Sequence, residues 1–292
     1  MNNRSPIFIG GAGRSGTTLL VDMLGLHPRI SPIYETDFVV QLIELIFQVN
    51  RPAREPLAEL VTQCMDDWTR PLPHRPHNKR EHERYHHGPH HILFDRKFAL
   101  DRTAEFVIAV KNGRIAFGFR NLLIALFREH CRLDQKARWA NKTPAYVQHL
   151  PALHRLFPKM RFIHCIRDGR DVVCSVMTRT WRMPSVGDAA SWWANKVRLG
   201  VEFREKHPEQ CLDVRYEDLV RQPEPTLNRI CAWLDEESCP DEILRCYRAG
   251  GVRLDAARIG EWQRTLSAAD QRAVEQHAGE WLTHFDYPRT NA

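Results

Sequence analysis

The stretch Gly10-Gly11-Ala12-Gly13-Arg14-Ser15-Gly16-Thr17-Thr18 constrains this chain more than any other. The apolar run Pro6-Ile7-Phe8-Ile9 before it predicts a short buried strand. Residues 17–26 after it predict a helix with Leu19, Leu20, Met23 and Leu24 on one face, ended by Pro28. Glycines between a strand and a helix let backbone N–H groups curl around a phosphate, and the helix N-terminus adds partial positive charge. Thr17 and Thr18 add hydroxyl donors. The order of parts is that of a Walker A loop, but Thr17 stands where its lysine would be and the cation is Arg14. That substitution disfavours an ATPase or kinase of the usual P-loop kind.

The rest of the chain continues to alternate. Strands are predicted at 30–35, 138–141, 161–166 and 211–216. Helices are predicted at 36–68 with breaks near Pro52 and Pro56, and at 100–131, 146–157, 169–180, 188–206, 224–234 and 267–283. Alternation of this kind implies an α/β, P-loop-like three-layer domain with a central parallel sheet flanked by helices. The 292 residues suffice for one such domain, 1–292, with a helical, histidine-rich insertion at about 36–131.

A second anion site is written into Ile163-His164-Cys165-Ile166-Arg167-Asp168-Gly169-Arg170-Asp171-Val172-Val173-Cys174-Ser175-Val176-Met177-Thr178-Arg179. A strand ending at Arg167 is followed by a helix on which Asp171, Ser175 and Arg179 recur every four residues and share a face. One hydroxyl and two guanidiniums suit a dianionic phosphate, because Arg binds phosphate as a bidentate fork. Asp168, Arg170 and Asp171 read as a surface salt-bridge cluster.

Composition narrows the function classes. A formal net charge of +6 suits an anionic ligand such as a nucleotide; nucleic-acid binding lacks any helix-turn-helix or RNA-recognition signature. No stretch approaches the roughly 18 apolar residues of a membrane span, and no signal-peptide core precedes a cleavage site, so the expected compartment is cytoplasmic. Eight cysteines without a CxxC pair are expected to be buried thiols.

Residues 69–92 hold seven of the fifteen histidines and are broken by Pro71, Pro73, Pro76 and Pro89, which predicts an irregular insertion or lid. Within it, His82-Glu83-Arg84-Tyr85-His86 matches the two-histidine zinc-hydrolase helix motif. A zinc-dependent hydrolase using His82, Glu83 and His86 is therefore one alternative. The flanking prolines leave room for only about two helical turns, without an apolar face. A nucleotide-binding protein without catalysis is the other alternative.

The loop Gly-x-Arg-Ser-Gly-Thr-Thr-Leu resembles the 5′-phosphosulfate loop of sulfotransferases that use 3′-phosphoadenosine 5′-phosphosulfate (PAPS). With Leu24-Gly25-Leu26-His27-Pro28 and Tyr34-Glu35-Thr36 after it, the pattern is most similar to the tyrosylprotein sulfotransferase branch. The resemblance runs from Pro6 to about Trp262. It implies sulfuryl transfer from PAPS to a hydroxyl or amine, leaving adenosine 3′,5′-bisphosphate. It implies donor binding by Gly13, Arg14, Ser15, Gly16, Thr17, Thr18, Arg167, Ser175, Arg179 and Tyr216, the last within Val214-Arg215-Tyr216-Glu217-Asp218-Leu219-Val220. Arg167 and Ser175 would hold the 3′-phosphate.

Sulfuryl transfer makes demands like those of phosphoryl transfer: positioning, and stabilisation of charge growing on the leaving oxygen. Arg14, and Lys142 in Asn141-Lys142-Thr143-Pro144, resemble the family's cations for that oxygen, so no metal is expected. Glu35 matches the branch's catalytic base, whereas His27 reads as a helix-end residue. The insertion at 36–131 would form the acceptor side, and the acceptor stays open among small molecules, lipids, sugars and peptides. Two departures stand out. The branch follows its Glu-Thr with Arg, whereas this chain has Asp37. It commonly has Ser and Lys where this chain has Gly260 and Glu261.

Overall fold

In the computed structural model, residues 5–47, 52–70, 95–180, 182–250 and 254–288 are described. Five strands, β1 (Ile7–Gly11), β2 (Ile30–Tyr34), β3 (Arg138–Lys142), β4 (Arg161–Ile166) and β5 (Cys211–Arg215), form one parallel sheet in the order β2-β3-β1-β4-β5, flanked by helices. All five residues of β1 are buried, as are all five of β3, which is what helices over a parallel sheet require. The predicted strands agree with these to within a residue or two.

The chain clusters into two compact units. The first takes in Met1–Phe8, Val21–Thr143 and Pro151–Met160. Its helices include α1 (Thr17–Gly25, mostly here), α2 (Asp37–Phe47), α3 (Arg54–Thr69), α4 (Arg96–Lys111) and α5 (Ile115–Leu133), followed later by α6 (Leu150–Leu156). In α2 the residues Phe38, Val39, Leu42, Ile43 and Ile46 are buried at a helical spacing, so one face seats the helix while Asp37 stays exposed at its first turn. β2 and β3 pair in register from Ile30 against Arg138 to Tyr34 against Lys142.

The second unit takes in Ile9–Leu20, Pro144–Leu150 and Arg161–Ala292. Here β4 and β5 pair from Phe162 against Cys211 to Ile166 against Arg215. Its helices are α7 (Gly169–Met177), α8 (Val186–Lys206), α9 (Tyr216–Arg221), α10 (Pro223–Trp233), α11 (Pro240–Ala249), α12 (Trp262–Thr265) and α13 (Ala268–His284). Val172, Val173, Val176, Trp193, Val197, Val274 and Leu282 from α7, α8 and α13 make one apolar core that includes Ala12 of the glycine-rich loop. The loop is thus seated on packed helices. Helix α13 opens with a capping box in which Ser267 and Asp270 satisfy each other's backbone N–H groups.

Candidate active site

The glycine-rich loop turns because two of its positions admit no side chain. A Cβ at Gly11 (φ +149°) would strike the Cys165 carbonyl of β4, and one at Gly16 (φ +82°) would lie 2.6 Å from the Tyr216 ring. Arg14 holds φ 75°, a left-handed conformation that costs a non-glycine residue about 1–3 kcal/mol and clusters at functional sites. Its Nε donates to Ser175 Oγ at 3.0 Å. Arg167 at the end of β4 then ties the parts together. It donates from one terminal nitrogen to the Arg14 carbonyl at 3.4 Å and from the other to the Arg258 carbonyl at 2.6 Å. Its guanidinium lies over the Tyr216 ring at 4.6 Å from the centroid. Burial holds the Tyr216 hydroxyl above the usual phenol range.

Two buried polar atoms in this constellation, Ser15 Oγ and Arg167 Nε, have no hydrogen-bond partner among the described residues. Orphaned buried donors are rare in folded proteins. With the N-terminus of α1 at Thr17, they supply donors without acceptors, which is the chemistry a phosphate ester completes. The residues present therefore fit the phosphate of an anionic ligand.

The neighbourhood of Arg167 corrects one expectation. Asp168, Arg170 and Asp171 are buried, Arg170 to 0% and Asp171 to 1% exposure, and are not a surface cluster. Arg170 grips both Asp168 oxygens at 2.9 and 2.7 Å, donates to the Pro288 carbonyl at 2.6 Å and lies 3.8 Å over the Trp262 ring. Asp171 accepts from the backbone N–H groups of Gly260 at 2.9 Å and Trp262 at 3.0 Å, and stands 3.6 Å from Arg167. Burial raises its carboxyl pKa, against the lowering effect of those N–H groups and Arg167. The Gly260 segment is thus held by its backbone, a use that the missing Ser and Lys side chains gave no sign of. Glu217 accepts from the Asp168 N–H and from the Tyr287 hydroxyl, extending the network.

Arg179 falls just past the end of the helix on which a face shared with Ser175 was predicted. α7 ends at Met177, because the chain turns at Thr178, and Arg179 is exposed beyond the last turn. Thr18 and Gly13 are half-buried and Thr17 is buried, all at the head of α1.

The other sequence-predicted group lies in the first unit. Lys142 is buried, and its amine meets the Glu35 carboxylate at 2.5 Å and lies 5.8 Å from the Tyr34 ring centroid. Glu35 has φ 22°, and its N–H donates to the Lys142 carbonyl at 2.8 Å, prolonging the β2–β3 ladder. Thr36 N–H donates to Thr143 Oγ1, Thr36 Oγ1 donates to Asn141 Oδ1, and Asn141 Nδ2 donates to the Ile33 carbonyl. The segments Tyr34-Glu35-Thr36 and Asn141-Lys142-Thr143 are therefore one hydrogen-bonded unit. Tyr34 donates to Asp22 at 3.0 Å. His27 is buried and its Nδ1 accepts from the Arg29 N–H, a helix-end role. His82, Glu83 and His86 lie outside the described residues. Among the described residues no group of three or more His, Cys, Asp or Glu side chains is placed to hold a metal ion, and no helix is long and apolar enough to cross a membrane.

A parallel sheet with a glycine-rich loop after its first strand, and an arginine at the end of the neighbouring strand, defines a P-loop-like fold. The model of the sulfotransferase family matches residues 6–241, and the chain belongs to that family. Protein-tyrosine sulfotransferase A of Caenorhabditis elegans is 26% identical over 80% of this chain and 51% of its own length. Protein-tyrosine sulfotransferase 1 of Danio rerio is 26% identical over 85% of this chain and 59% of its own. The chain thus spans about half of the first of these relatives. Among solved structures, the sulfotransferase domain of the Synechococcus PCC 7002 olefin synthase superposes with a TM-score of 0.56, at 21% identity over 99% of this chain and 98% of that one. The sulfotransferase STF9 from Mycobacterium avium gives 0.55, at 16% identity over 100% of this chain and 79% of that one. Both share the fold.

Proposed function

We propose that the protein transfers a sulfuryl group from PAPS to a hydroxyl acceptor. The observation that carries this reading is the junction of Arg14, Ser175, Arg167 and Tyr216, with buried orphan donors on Ser15 and Arg167, inside a chain of the sulfotransferase family. In this reading the loop Gly13–Thr18 takes the 5′ end of the donor and Arg167 and Ser175 take its 3′-phosphate. The acceptor oxygen attacks sulfur in line. The bond from sulfur to the bridging oxygen breaks, and its electron pair leaves on the 5′-phosphate. The acceptor proton passes to Glu35. Arg14 and Lys142 are the cations assigned to the leaving phosphate, where preformed charge acts most strongly. The backbone strain at Arg14 and Glu35 supports their assignment, since strain held by its surroundings is a mark of functional residues.

The relatives named as protein-tyrosine sulfotransferases bring a phenolic hydroxyl forward as the acceptor. Exposed Asp37, where that branch carries Arg, argues against an acidic peptide around it. We place the protein in the cytoplasm as part of the same proposal.

The test is calorimetric titration with adenosine 3′,5′-bisphosphate in EDTA buffer. Micromolar binding that is lost in Arg167→Ala, with no comparable binding of 5′-AMP, is the expected result. A folded protein that does not bind the bisphosphate would overturn the reading. Sulfate transfer to a panel of phenols and alcohols would then identify the acceptor.

A further inference from the structure

Lys196 of α8 is 6% exposed, yet among the described residues its amine has no hydrogen-bond or ion-pair partner. The amine lies 5.7 Å from the centroid of the Trp192 ring, one helical turn earlier. Trp192 in turn reaches the phosphate loop: a Cβ on Gly13 would sit 3.6 Å from the tip of its indole. The next residue, Trp193, donates from its indole to the Arg167 carbonyl at 3.2 Å. One flank of α8 therefore runs past both anion-binding segments and carries a buried cation.

A buried ammonium without a partner is expensive, and natural proteins retain one where it meets an anion or acts in its neutral form. Burial pulls the Lys196 amine from its usual 10.5 down to about 8. No counter-charge for it stands among the described residues, and the loop beside it is built for a phosphate.

We propose that Lys196 is an anion-binding residue for the 5′-phosphate end of the donor nucleotide, on the Gly13 side of the loop. The inference rests on the donor site described above. It adds a cation from α8 to the contacts that loop and strand ends supply. A charge-assisted hydrogen bond to phosphate corresponds to roughly 10–100-fold in affinity.

The experiment compares two ligands on wild-type protein, Lys196→Met and Lys196→Arg: adenosine 3′,5′-bisphosphate, and adenosine 3′-phosphate, which lacks the 5′-phosphate. Lys196→Met is expected to bind the bisphosphate at least tenfold more weakly and the 3′-phosphate unchanged, with Lys196→Arg restoring most of the loss. Its melting temperature at neutral pH is expected at or above wild type, because methionine fills the site without a charge. Equal bisphosphate affinity in Lys196→Met, or an equal loss for both ligands, would overturn the assignment. Failure of the underlying site is separable: it appears as wild-type protein that does not bind the bisphosphate or binds it unaffected by Arg167→Ala.

Discussion

The amine of Lys142 and the carboxylate of Glu35 meet at 2.5 Å, and the two sides of the pair are unequal: the Lys142 side chain is 2% exposed and that of Glu35 46%. A carboxylate in that position can fall back on water, whereas the ammonium cannot. Removing one partner of a buried pair is damaging chiefly through the charge left behind. Glu35→Ala is therefore expected to lower the melting temperature more than Lys142→Met. Both are expected to reduce kcat by about a hundredfold or more, the usual scale for losing a general base or a charge-stabilising group. Thermal melts of the two variants, side by side with a transfer assay, check this. The reverse order of stability would show that the pair is not anchored on Lys142.

Gly16→Ala tests the loop. Its Cβ would press on the Tyr216 ring at 2.6 Å, and its φ of +82° disfavours any L side chain. The expected result is a loss of about 1–2 kcal/mol in stability from the backbone alone. A drop of at least tenfold in affinity for adenosine 3′,5′-bisphosphate is expected with it, because Tyr216 carries Arg167 on its face. Affinity equal to wild type by calorimetry would mean that the ring and the loop move independently.

What the sequence disclosed and what it hid divide along one line. The phosphate loop with Arg14, and the strand-end Arg167 with Ser175, are local patterns, whereas Tyr216 stood out only through the family resemblance. The segments Tyr34-Glu35-Thr36 and Asn141-Lys142-Thr143 were visible through the same resemblance as two separate motifs, but their junction was not, because it is made by pairing across about 107 positions. Asp168, Arg170 and Asp171 were misread because their partners, Pro288, Trp262 and Gly260, lie about ninety to a hundred and twenty positions away, and a charged run without visible partners looks solvated. Arg179 shows the limit of periodicity, since a four-residue spacing says nothing about where a helix stops. α11 was legible and missed: Pro240 at its first position and Asp241 and Glu242 in its first turn are start signals.

Asp171→Ala should be among the most destabilising single changes in the second unit. It strips the acceptors from two backbone N–H groups and leaves Arg167 without its carboxylate. The expected loss is about 3–5 kcal/mol, the range for breaking a buried charged pair. Chemical denaturation measures it, and a change below about 1 kcal/mol would show that the Gly260 segment is held by other means.

The thiols offer a test of burial. Desolvation pushes Cys131 and Cys174 up to about 12, and Cys246 is exposed on α11. A thiol reagent at pH 8 is expected to label Cys246 within minutes in the native protein and all eight cysteines only in denaturant. Peptide mass spectrometry reads the sites. Rapid native labelling of Cys131 or Cys174 would contradict the packing around them.

Lys196 also predicts a pH dependence whose sign can be worked out. Its amine is depressed to about 8 in the folded protein and returns to about 10.5 on unfolding. Between those values the unfolded chain binds a proton that the folded chain does not. Stability therefore rises with pH across that window, and below about pH 8 the burial penalty is present in full. Lys196→Met lacks the term. Without nucleotide, the stability of wild type relative to Lys196→Met is expected to climb between pH 8 and 10.5 and to be flat from pH 6.5 to 7.5. Saturating adenosine 3′,5′-bisphosphate should reduce the climb, because a phosphate beside the amine favours its charged form. Denaturant melts of both proteins at half-unit steps, with and without the nucleotide, give the two curves. A difference that stays flat to pH 10.5 would mean that the folded protein holds the amine charged, with a partner other than the nucleotide.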